Sequence, residues 1–512
     1  MTNGLFAVFF APMESMIPKA VHDAALAEKQ EQIDVLMQRL EQLERMLFGG
    51  SSERIAPASA PESEKETITY QGRKRPAKPH PGRAKLPDHL PVRQVIIEPD
   101  EDTAGMARIG EDVTRKLEYI PGTLEIVEYV RPRYARPKNE QTDEVPAIVQ
   151  APAPDQVLPK SIAGVGLLTQ IIIAKYVDHL PLYRQQQIFK RDFGYDVSTS
   201  TLGNWFTGSC TLMEPLYVAL IKQVLETTYL QGDESRITVL ERGDDKKKDK
   251  SHRYPAKARK VHLGYMWVFR NPETGAVLFA YRPGRGANVL NETLADFKGK
   301  LQSDGYSAYT AYLKKHEGVE LVSCLAHIRR KFFDARKNDS ENADLALRAC
   351  QYLYRIEEKC RERGVGPEVR QRMRRRYARP AYEALLDWVN KSLPDSLPKS
   401  GIGKALGYAA NHLPRLRHYL EDGLIEIDNN LIENKIRPLA LGRKNYLFAG
   451  SRKGAERAAM MYSFLSTCKE WDVNPREWLQ DVLLRINDHP INRIAELLPG
   501  EWKKRRTGQE EE

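Results

Sequence analysis

The segments TTYLQGDESRITVL at 227–240, VHLGYMWVFRN at 261–271 and AVLFAYRPGRG at 276–286 carry the strongest strand pattern in the chain. They are rich in β-branched and aromatic residues, and Gly and Pro separate them, which is typical of strands joined by hairpins. After them come a helical stretch at 288–297, a strand at 300–309, a helix at 311–316 and a strand at 319–327. Three hairpin-connected strands followed by alternating helix and strand predict a mixed sheet in an α+β domain.

Three acids occupy matching positions around this sheet, which is of the ribonuclease H type. Asp233 falls on the first strand and Asp304 at the end of the fourth, and these strands are neighbours at the sheet centre in that topology. Glu433 lies in EIDNNLIENKIRPLALGRKNYLFAGS at 426–451, inside a cationic stretch. A lone acid is usually a solvated surface carboxylate, but three in such contexts predict a metal-dependent phosphoryl-transfer centre.

Two divalent ions, Mg²⁺ or Mn²⁺ in its place, suit three carboxylates, because hard cations prefer oxygen ligands. We expect Asp233 to be the shared ligand, with Asp304 completing one ion site and Glu433 the other. Without metal, the three carboxylates would raise one another's pKa. Glu234 and Asp296 are weaker candidates, although Glu234 could support the site from the second layer.

A formal net charge of +10 predicts a polyanionic partner, and the alternative is a generic basic cytosolic protein. The predicted DNA contacts are the polar and basic residues near the third acid, an arginine run and two linker arginines: Asn430, Arg437, Arg443, Lys444, Arg372, Arg374, Arg375, Arg376, Arg73 and Arg75. The alternative for the arginine run is a solvated face, and for Arg73 and Arg75 a soluble linker.

The five cysteines are scattered and never paired as CxxC, which favours reduced thiols in a cytosolic protein. No apolar run approaches the roughly 18 to 20 residues of a membrane span. The apolar start LFAVFFAPM lacks a basic region before it, so we expect neither a signal peptide nor a membrane partner.

Leucines and isoleucines at heptad spacing predict a short coiled coil, with Leu26, Ile33, Leu40 and Leu47 at one seam position. It would favour a homo-oligomer, and the alternative is an amphipathic helix packed on its own domain. Further along, Gly194 between two helical patterns and an N-cap at Ser198 or Thr199 fit a helix-turn-helix. An ordinary helical hairpin is the alternative there.

The predicted fold class is therefore α+β and multidomain, with the mixed sheet interrupted by a helical insertion. In chain order the predicted parts are an N-terminal tail at 1–19, a coiled-coil helix at 20–48, a basic Pro-rich linker at 49–91, a small β module at 92–140, a linker at 141–160, a helix-turn-helix-like region at 161–226, the first part of the catalytic core at 227–336, a helical insertion at 337–420, the second part of the core at 421–490, and a charged C-terminal tail at 491–512.

Four stretches resemble segments of the insertion sequence 66 group of transposases, which carry a DDE triad. They are LFGGSSER at 47–54, IGEDVTRKLEYIPGTLEIVEYVRPRYA at 109–135, CLAHIRRKFFDA at 324–335, and DNNLIENKIRPLALGRKNYLFAGSRKGAERAAMMYSFLSTCKEWDVNP at 428–475. The resemblance implies that Asp233, Asp304 and Glu433 are the triad. It also implies strand cleavage and transfer at terminal inverted repeats, two small accessory proteins from the same element, and a place at the bacterial nucleoid.

The second of these stretches resembles the family's small zinc-binding module, with one departure. Residues 100–107 contain no cysteine, and Arg136 and Asn139 stand where a second cysteine pair is expected. Because zinc needs four soft or imidazole ligands, we expect no zinc there. Cys324 and His327 resemble a CxxH signature, which we interpret as structural support for the fold and not as a zinc site.

Two other functions remain open from the sequence. One is a catalytically silent DNA-binding protein derived from a transposase, although all three acids are present. The other is a cellular ribonuclease H-like nuclease, which the heptads and the long insertion disfavour.

Overall fold

The computed structural model describes residues 122–131, 133–135, 148–150, 156–241 and 260–509. The predicted coiled coil, the basic linker with Arg73 and Arg75, and most of the small β module lie outside these ranges. The described strands are β1 (Arg133–Ala135), β2 (Ile148–Gln150), β3 (Tyr229–Glu241), β4 (Lys260–Arg270), β5 (Val277–Arg282), β6 (Gly299–Gln302) and β7 (Val319–Val322).

Helices make up most of the remaining described chain. They are α1 (Val165–Tyr176), α2 (Leu182–Phe193), α3 (Thr199–Leu225), α4 (Ala287–Thr293), α5 (Ser307–Leu313), α6 (Leu325–Ala335), α7 (Ser340–Glu362), α8 (Pro367–Met373), α9 (Arg379–Ser392), α10 (Gly401–Leu416), α11 (His418–Glu421), α12 (Asn430–Tyr446), α13 (Arg452–Glu470), α14 (Pro475–Arg485) and α15 (Pro499–Gln509). A π-helical turn joins α8 to α9, and a 3-10 helix precedes α15.

The sheet of β3 to β7 is mixed, with the order β5-β4-β3-β6-β7. β3, β4 and β5 run antiparallel as a meander, whereas β6 and β7 run parallel to β3. This arrangement confirms the predicted mixed sheet of an α+β protein. It places β3 at the centre, between its hairpin partner β4 and the crossover strand β6.

Helix α13 covers the free edge of β5, the outermost strand on that side of the sheet. The backbone N–H groups of Val277 and Phe279 donate to the hydroxyls of Thr467 and Ser463, at 3.0 and 2.7 Å. Because an unpaired strand edge invites association, these two hydroxyls close the sheet on that side.

The three helices before the sheet pack on its core. Gly194 ends α2 in the left-handed conformation, with φ +66°, and Ser198 caps α3 by accepting from the backbone N–H of Thr201 at 3.0 Å. Apolar residues of α3, including Leu216 and Leu220, are fully buried in the same core as the strands. The N-cap predicted at Ser198 is therefore present, while a DNA-binding role of these helices stays a prediction.

Two stretches differ from the predicted organisation. β2 lies inside the predicted 141–160 linker and pairs antiparallel with β1. The predicted tail 491–512 is wrong as far as residue 509: it forms the 3-10 helix and α15, and Leu497, Leu498 and Trp502 are buried. The many charges of this stretch hid an apolar stripe at helical spacing.

Candidate active site

Asp233 and Asp304 are brought together by strand register. β3 and β6 pair in parallel up to Gln231 opposite Gln302, and each aspartate follows its glutamine by two residues. Since neighbouring strands lie about 5 Å apart, the two carboxylates start from adjacent points at the centre of the sheet. The Asp233 Oδ1 atom accepts from the backbone N–H of Glu234 at 2.7 Å.

Glu433 reaches this place because the segment before α12 is tied to the sheet. The Asn429 side-chain amide donates to the carbonyl of Gly232 at 3.2 Å, one residue before Asp233. The Asn429 backbone N–H points to Cys324 Sγ at 3.2 Å, and Leu325 N–H donates to the Ile427 carbonyl at 3.0 Å. Glu433 then lies in the first turn of α12.

The acids affect one another's pKa. Burial is the main reason why the pKa of Asp233 is raised to about 8, and the nearby carboxylates of Glu234, Asp304 and Glu433 contribute to the same rise. Burial also raises the pKa of Glu433; His327 opposes that rise, and Asp304 adds to it. An uncompensated cluster of this kind favours a cation, because a positive charge removes the repulsion.

The third acid lies beside a histidine at the surface of the site. The Glu433 side chain is 42% exposed, and its Oε1 atom lies 3.9 Å from His327 Nε2. Across the described ranges, no three His, Cys, Asp or Glu side chains are already gathered as a metal-binding group. The Glu433 side chain is therefore partly open to solvent.

A second layer of the site involves Glu234, which was a weaker candidate, and Arg285, which the sequence reasoning missed. Arg285 Nε donates to Glu234 Oε1 at 2.6 Å, and the Tyr309 hydroxyl donates to Glu234 Oε2 at 3.2 Å. The Arg285 guanidinium also stacks on the Tyr306 ring at 3.7 Å. Glu234 is thus paired with Arg285 next to Asp233. No local sequence pattern points to Arg285, which lies 51 residues from Glu234 along the chain.

The helical insertion also contacts the site, through α10. The Tyr408 hydroxyl donates to the backbone carbonyl of Asp304 at 3.0 Å, and its ring stacks on His412 at 4.1 Å. His412 Nδ1 lies 3.1 Å from the Ser323 hydroxyl at the end of β7. No local sequence pattern links Tyr408 to Asp304, since a hundred residues separate them.

The eight predicted DNA contacts that the structure describes fall into three groups: exposed residues, residues with protein partners, and the buried Arg374. Arg437, Lys444, Arg372, Arg375 and Arg376 are exposed. Asn430 and Arg443 have protein partners: Asn430 donates to Asp428 at 2.8 Å, and Arg443 donates to the Ser235 hydroxyl at 3.0 Å and to the Arg236 carbonyl at 2.6 Å.

Arg374 is the exception, and its predicted DNA contact is wrong. It is fully buried, with Nε donating to Glu357 Oε1 at 2.8 Å and Nη1 lying 2.8 to 2.9 Å from the carbonyls of Tyr419, Asp422 and Ile425. The π-helical turn that starts at Arg374 differs from the surrounding α-helix and places this one arginine of the run inside.

Residues 160–457 match the model of the "Transposase IS66 family", and residues 463–499 match the "IS66 C-terminal element". Residues 35–95 match "Transposase C of IS166 homeodomain", and 101–136 match the "zinc-finger binding domain of transposase IS66". The chain belongs to the IS66 family of transposases, and DNA is the partner that membership indicates.

Its relatives include two proteins of Sinorhizobium fredii (strain NBRC 101917 / NGR234). The uncharacterized protein y4jD is 33% identical over 445 residues, which is 83% of each chain. The uncharacterized protein y4hP is 31% identical over 508 residues, covering 93% of this chain and 86% of that protein.

The match at 101–136 corrects one prediction. The expectation of no zinc is wrong, because the segment is recognised as the family's zinc-finger module. That expectation rested on the absence of soft or imidazole ligands, and residues 101–136 contain neither cysteine nor histidine. The match covers residues 101–136 as a whole, and most of them lie outside the described residues.

One further observation concerns membranes. In the part of the chain that the structure describes, no helix is long and apolar enough to cross a bilayer.

Proposed function

We propose that this protein is a DNA transposase that cleaves the ends of an insertion sequence and joins them to target DNA. One observation carries the proposal: Asp233 and Asp304 follow paired glutamines on adjacent strands, and Asn429 ties the start of the Glu433 helix to the residue before Asp233. The sheet order, with three antiparallel strands followed by two parallel ones, supports a ribonuclease H-like core around these acids.

The donor set fits Mg²⁺ or Mn²⁺, since carboxylate oxygens suit hard cations and Asp233 is destabilised as an anion without one. Asp233 and Asp304 would hold one ion, and Asp233 with Glu433 a second. Two such ions, when bound, activate the attacking water or hydroxyl and stabilise the leaving oxygen. The chain's own contribution is to hold Asp304 through Tyr408, to neutralise Glu234 through Arg285, and to place Arg437 and Lys444 beside the DNA backbone.

The wider assembly is also part of the proposal. A homo-oligomer would bring two element ends together on the bacterial chromosome. Two small proteins of the same element would assist it.

The test uses the full-length protein and a labelled duplex that ends in the element's inverted repeat. Cleavage and joining should require Mg²⁺ or Mn²⁺ and should fall at least about 1000-fold in Asp233→Asn, Asp304→Asn and Glu433→Gln. Asp296→Asn is the matched control, because Asp296 is an exposed acid outside the site. Cleavage that survives Asp233→Asn would refute the assignment. Binding without cleavage under any metal would favour the silent DNA-binding protein, and preferred cleavage of RNA–DNA hybrids would favour the nuclease.

A further inference from the structure

The turn that follows α12 is strained. Leu447 has φ +62° and ψ −41°, a conformation that non-glycine residues rarely adopt. The Phe448 backbone N–H donates to the Tyr446 carbonyl at 2.7 Å across it, which closes a γ-turn of the uncommon positive-φ kind. Strain of this sort persists only where the surroundings hold it.

The surroundings do hold it from both sides. The Leu447 N–H donates to the Arg443 carbonyl at 2.9 Å. Ala449 is joined to β3, since its N–H donates to the Thr238 carbonyl at 2.8 Å and its carbonyl accepts from Leu240 N–H at 2.9 Å. The turn is therefore anchored to the end of α12 and to the central strand of the sheet.

This anchored turn presents apolar side chains outward. Leu447 is 66% exposed and Phe448 is 42% exposed, and Leu441 on the preceding helix is 55% exposed. A strained backbone that buried its side chains would be explained by packing. Here the strain points two large apolar groups away from the core, which favours an external contact.

The charge around the turn identifies the partner. Residues 434–455 contain six Lys or Arg and no Asp or Glu. Lys435 is paired with Glu470, and Arg443 is bonded to β3, but Arg437 and Lys444 are exposed. Such a surface complements a polyanion and would repel a second copy of itself.

Helix geometry connects the turn to the candidate active site. Glu433, Arg437, Leu441 and Lys444 follow one another at spacings of three and four residues, so they share one side of α12. The fourteen-residue step from Glu433 to Leu447 corresponds to about 20 Å along the helix. At about 3.4 Å per nucleotide, this length matches roughly six base pairs of duplex.

We propose that the Leu447–Phe448 turn is an apolar wedge that enters the base stack of the element DNA about six base pairs from the cleaved phosphate. Arg437 and Lys444 contact the phosphates in between. Apolar side chains inserted at a base step unstack it and distort the duplex. This inference rests on the proposed function only for the position of the cleaved phosphate at Glu433.

The test uses full-length protein carrying Asp233→Asn, which keeps the DNA uncut. The DNA is a set of terminal-repeat duplexes, each with 2-aminopurine at one position three to ten base pairs from the cleavage point. Fluorescence should rise several-fold at one or two adjacent positions near the sixth. The rise should be lost in Leu447→Gly and in Phe448→Ser. Leu447→Gly relieves the positive φ, so its folding is protected.

Leu397→Ser is the matched control, because Leu397 is 77% exposed and lies in the helical insertion; it should leave the fluorescence unchanged. No rise at any position, in a protein whose parent shows Asp233-dependent cleavage, would overturn the wedge and leave the proposed function intact. A fluorescence rise that is unchanged in both Leu447→Gly and Phe448→Ser would also overturn the wedge and leave the proposed function intact. Loss of self-association in Leu447→Gly without any fluorescence change would overturn it in favour of a protein contact. Absence of Asp233-dependent cleavage in the parent would instead refute the proposed function.

Discussion

Replacing Arg374 should destabilise the segment that leads to Glu433. Its guanidinium is fully buried, pairs with Glu357 at 2.7 and 2.8 Å, and satisfies the carbonyls of Tyr419, Asp422 and Ile425. Removing one partner of a buried ion pair costs about 3–5 kcal/mol, because the other charge is left uncompensated. Arg374→Met should therefore lower the free energy of opening of this region by about that amount.

The double variant Glu357→Leu with Arg374→Met separates the two contributions. It removes the stranded charge, so part of the loss should return. The three carbonyls still lack a donor, and each costs about 1–3 kcal/mol unless water replaces the arginine. We expect the double variant to lie between the single variant and the parent.

Native-state hydrogen exchange of the amides between residues 419 and 429 measures this opening directly. Arg375→Met is the matched control, since Arg375 is the exposed neighbour, and a surface change of this kind stays within about 0.5 kcal/mol. If Arg374→Met and Arg375→Met exchange at the same rates, the buried fork does not hold the loop and the reasoning fails.

Three further outcomes follow from the site and its support. Because the pKa of Asp233 is about 8, this carboxyl is mostly protonated at pH 7, and Mn²⁺ binding should release close to one proton and become tighter as the pH rises from 6 to 8. Calorimetry in buffers of different ionisation enthalpy measures the proton release. The same release in Asp233→Asn would contradict this prediction. Burial lowers the pKa of His412 to about 4, so on acidification this histidine binds a proton in the unfolded chain before it does so in the folded protein. The free energy of unfolding should therefore fall by roughly 1–2 kcal/mol, after allowance for solvent screening, as the pH drops from about 6.5 to 4. Denaturant unfolding should show a flatter pH profile in His412→Gln, and an unchanged profile would count against the cause. Gly305→Ala should lower the free energy of unfolding by about 1–3 kcal/mol in thermal unfolding, because φ is +87° and a Cβ would collide with the His412 ring. Gly318→Ala is the control: its φ is +86° and a Cβ there would make only ordinary contacts, so it measures the backbone cost alone and should lower stability less.

The strands and the aspartate pair could be predicted because their signals are local. β-branched and aromatic residues, with Gly and Pro between the segments, mark β3 and β4, and the position of Asp233 follows from counting along the same segment. The register that joins Gln231 to Gln302 then needs only the topology of the sheet. Local sequence therefore carries most of the candidate site.

The arginine run shows where local information ends. The four arginines at 372, 374, 375 and 376 lie within five residues of one another, yet Arg374 alone is buried. Its burial depends on Glu357 in another helix and on carbonyls from residue 419 onward. A positive charge run predicts a solvated or DNA-facing surface, and only the tertiary fold can select the member that turns inward.

The helical insertion interrupts the core in sequence but supports both halves of the candidate site. From α10, Tyr408 donates to the Asp304 carbonyl, and from the π-helical turn, Arg374 holds the carbonyls before α12. Arg370 adds an ion pair to Glu426 at 3.2 Å, within the segment that the Gln302 side chain also binds at 2.8 Å. These contacts reach Asp304, which follows β6, and the segment before the helix that carries Glu433. A loosened insertion would therefore separate Asp304 from Glu433. The length of chain between Asp304 and Glu433 is therefore better understood as the scaffold that sets their distance than as an appended domain.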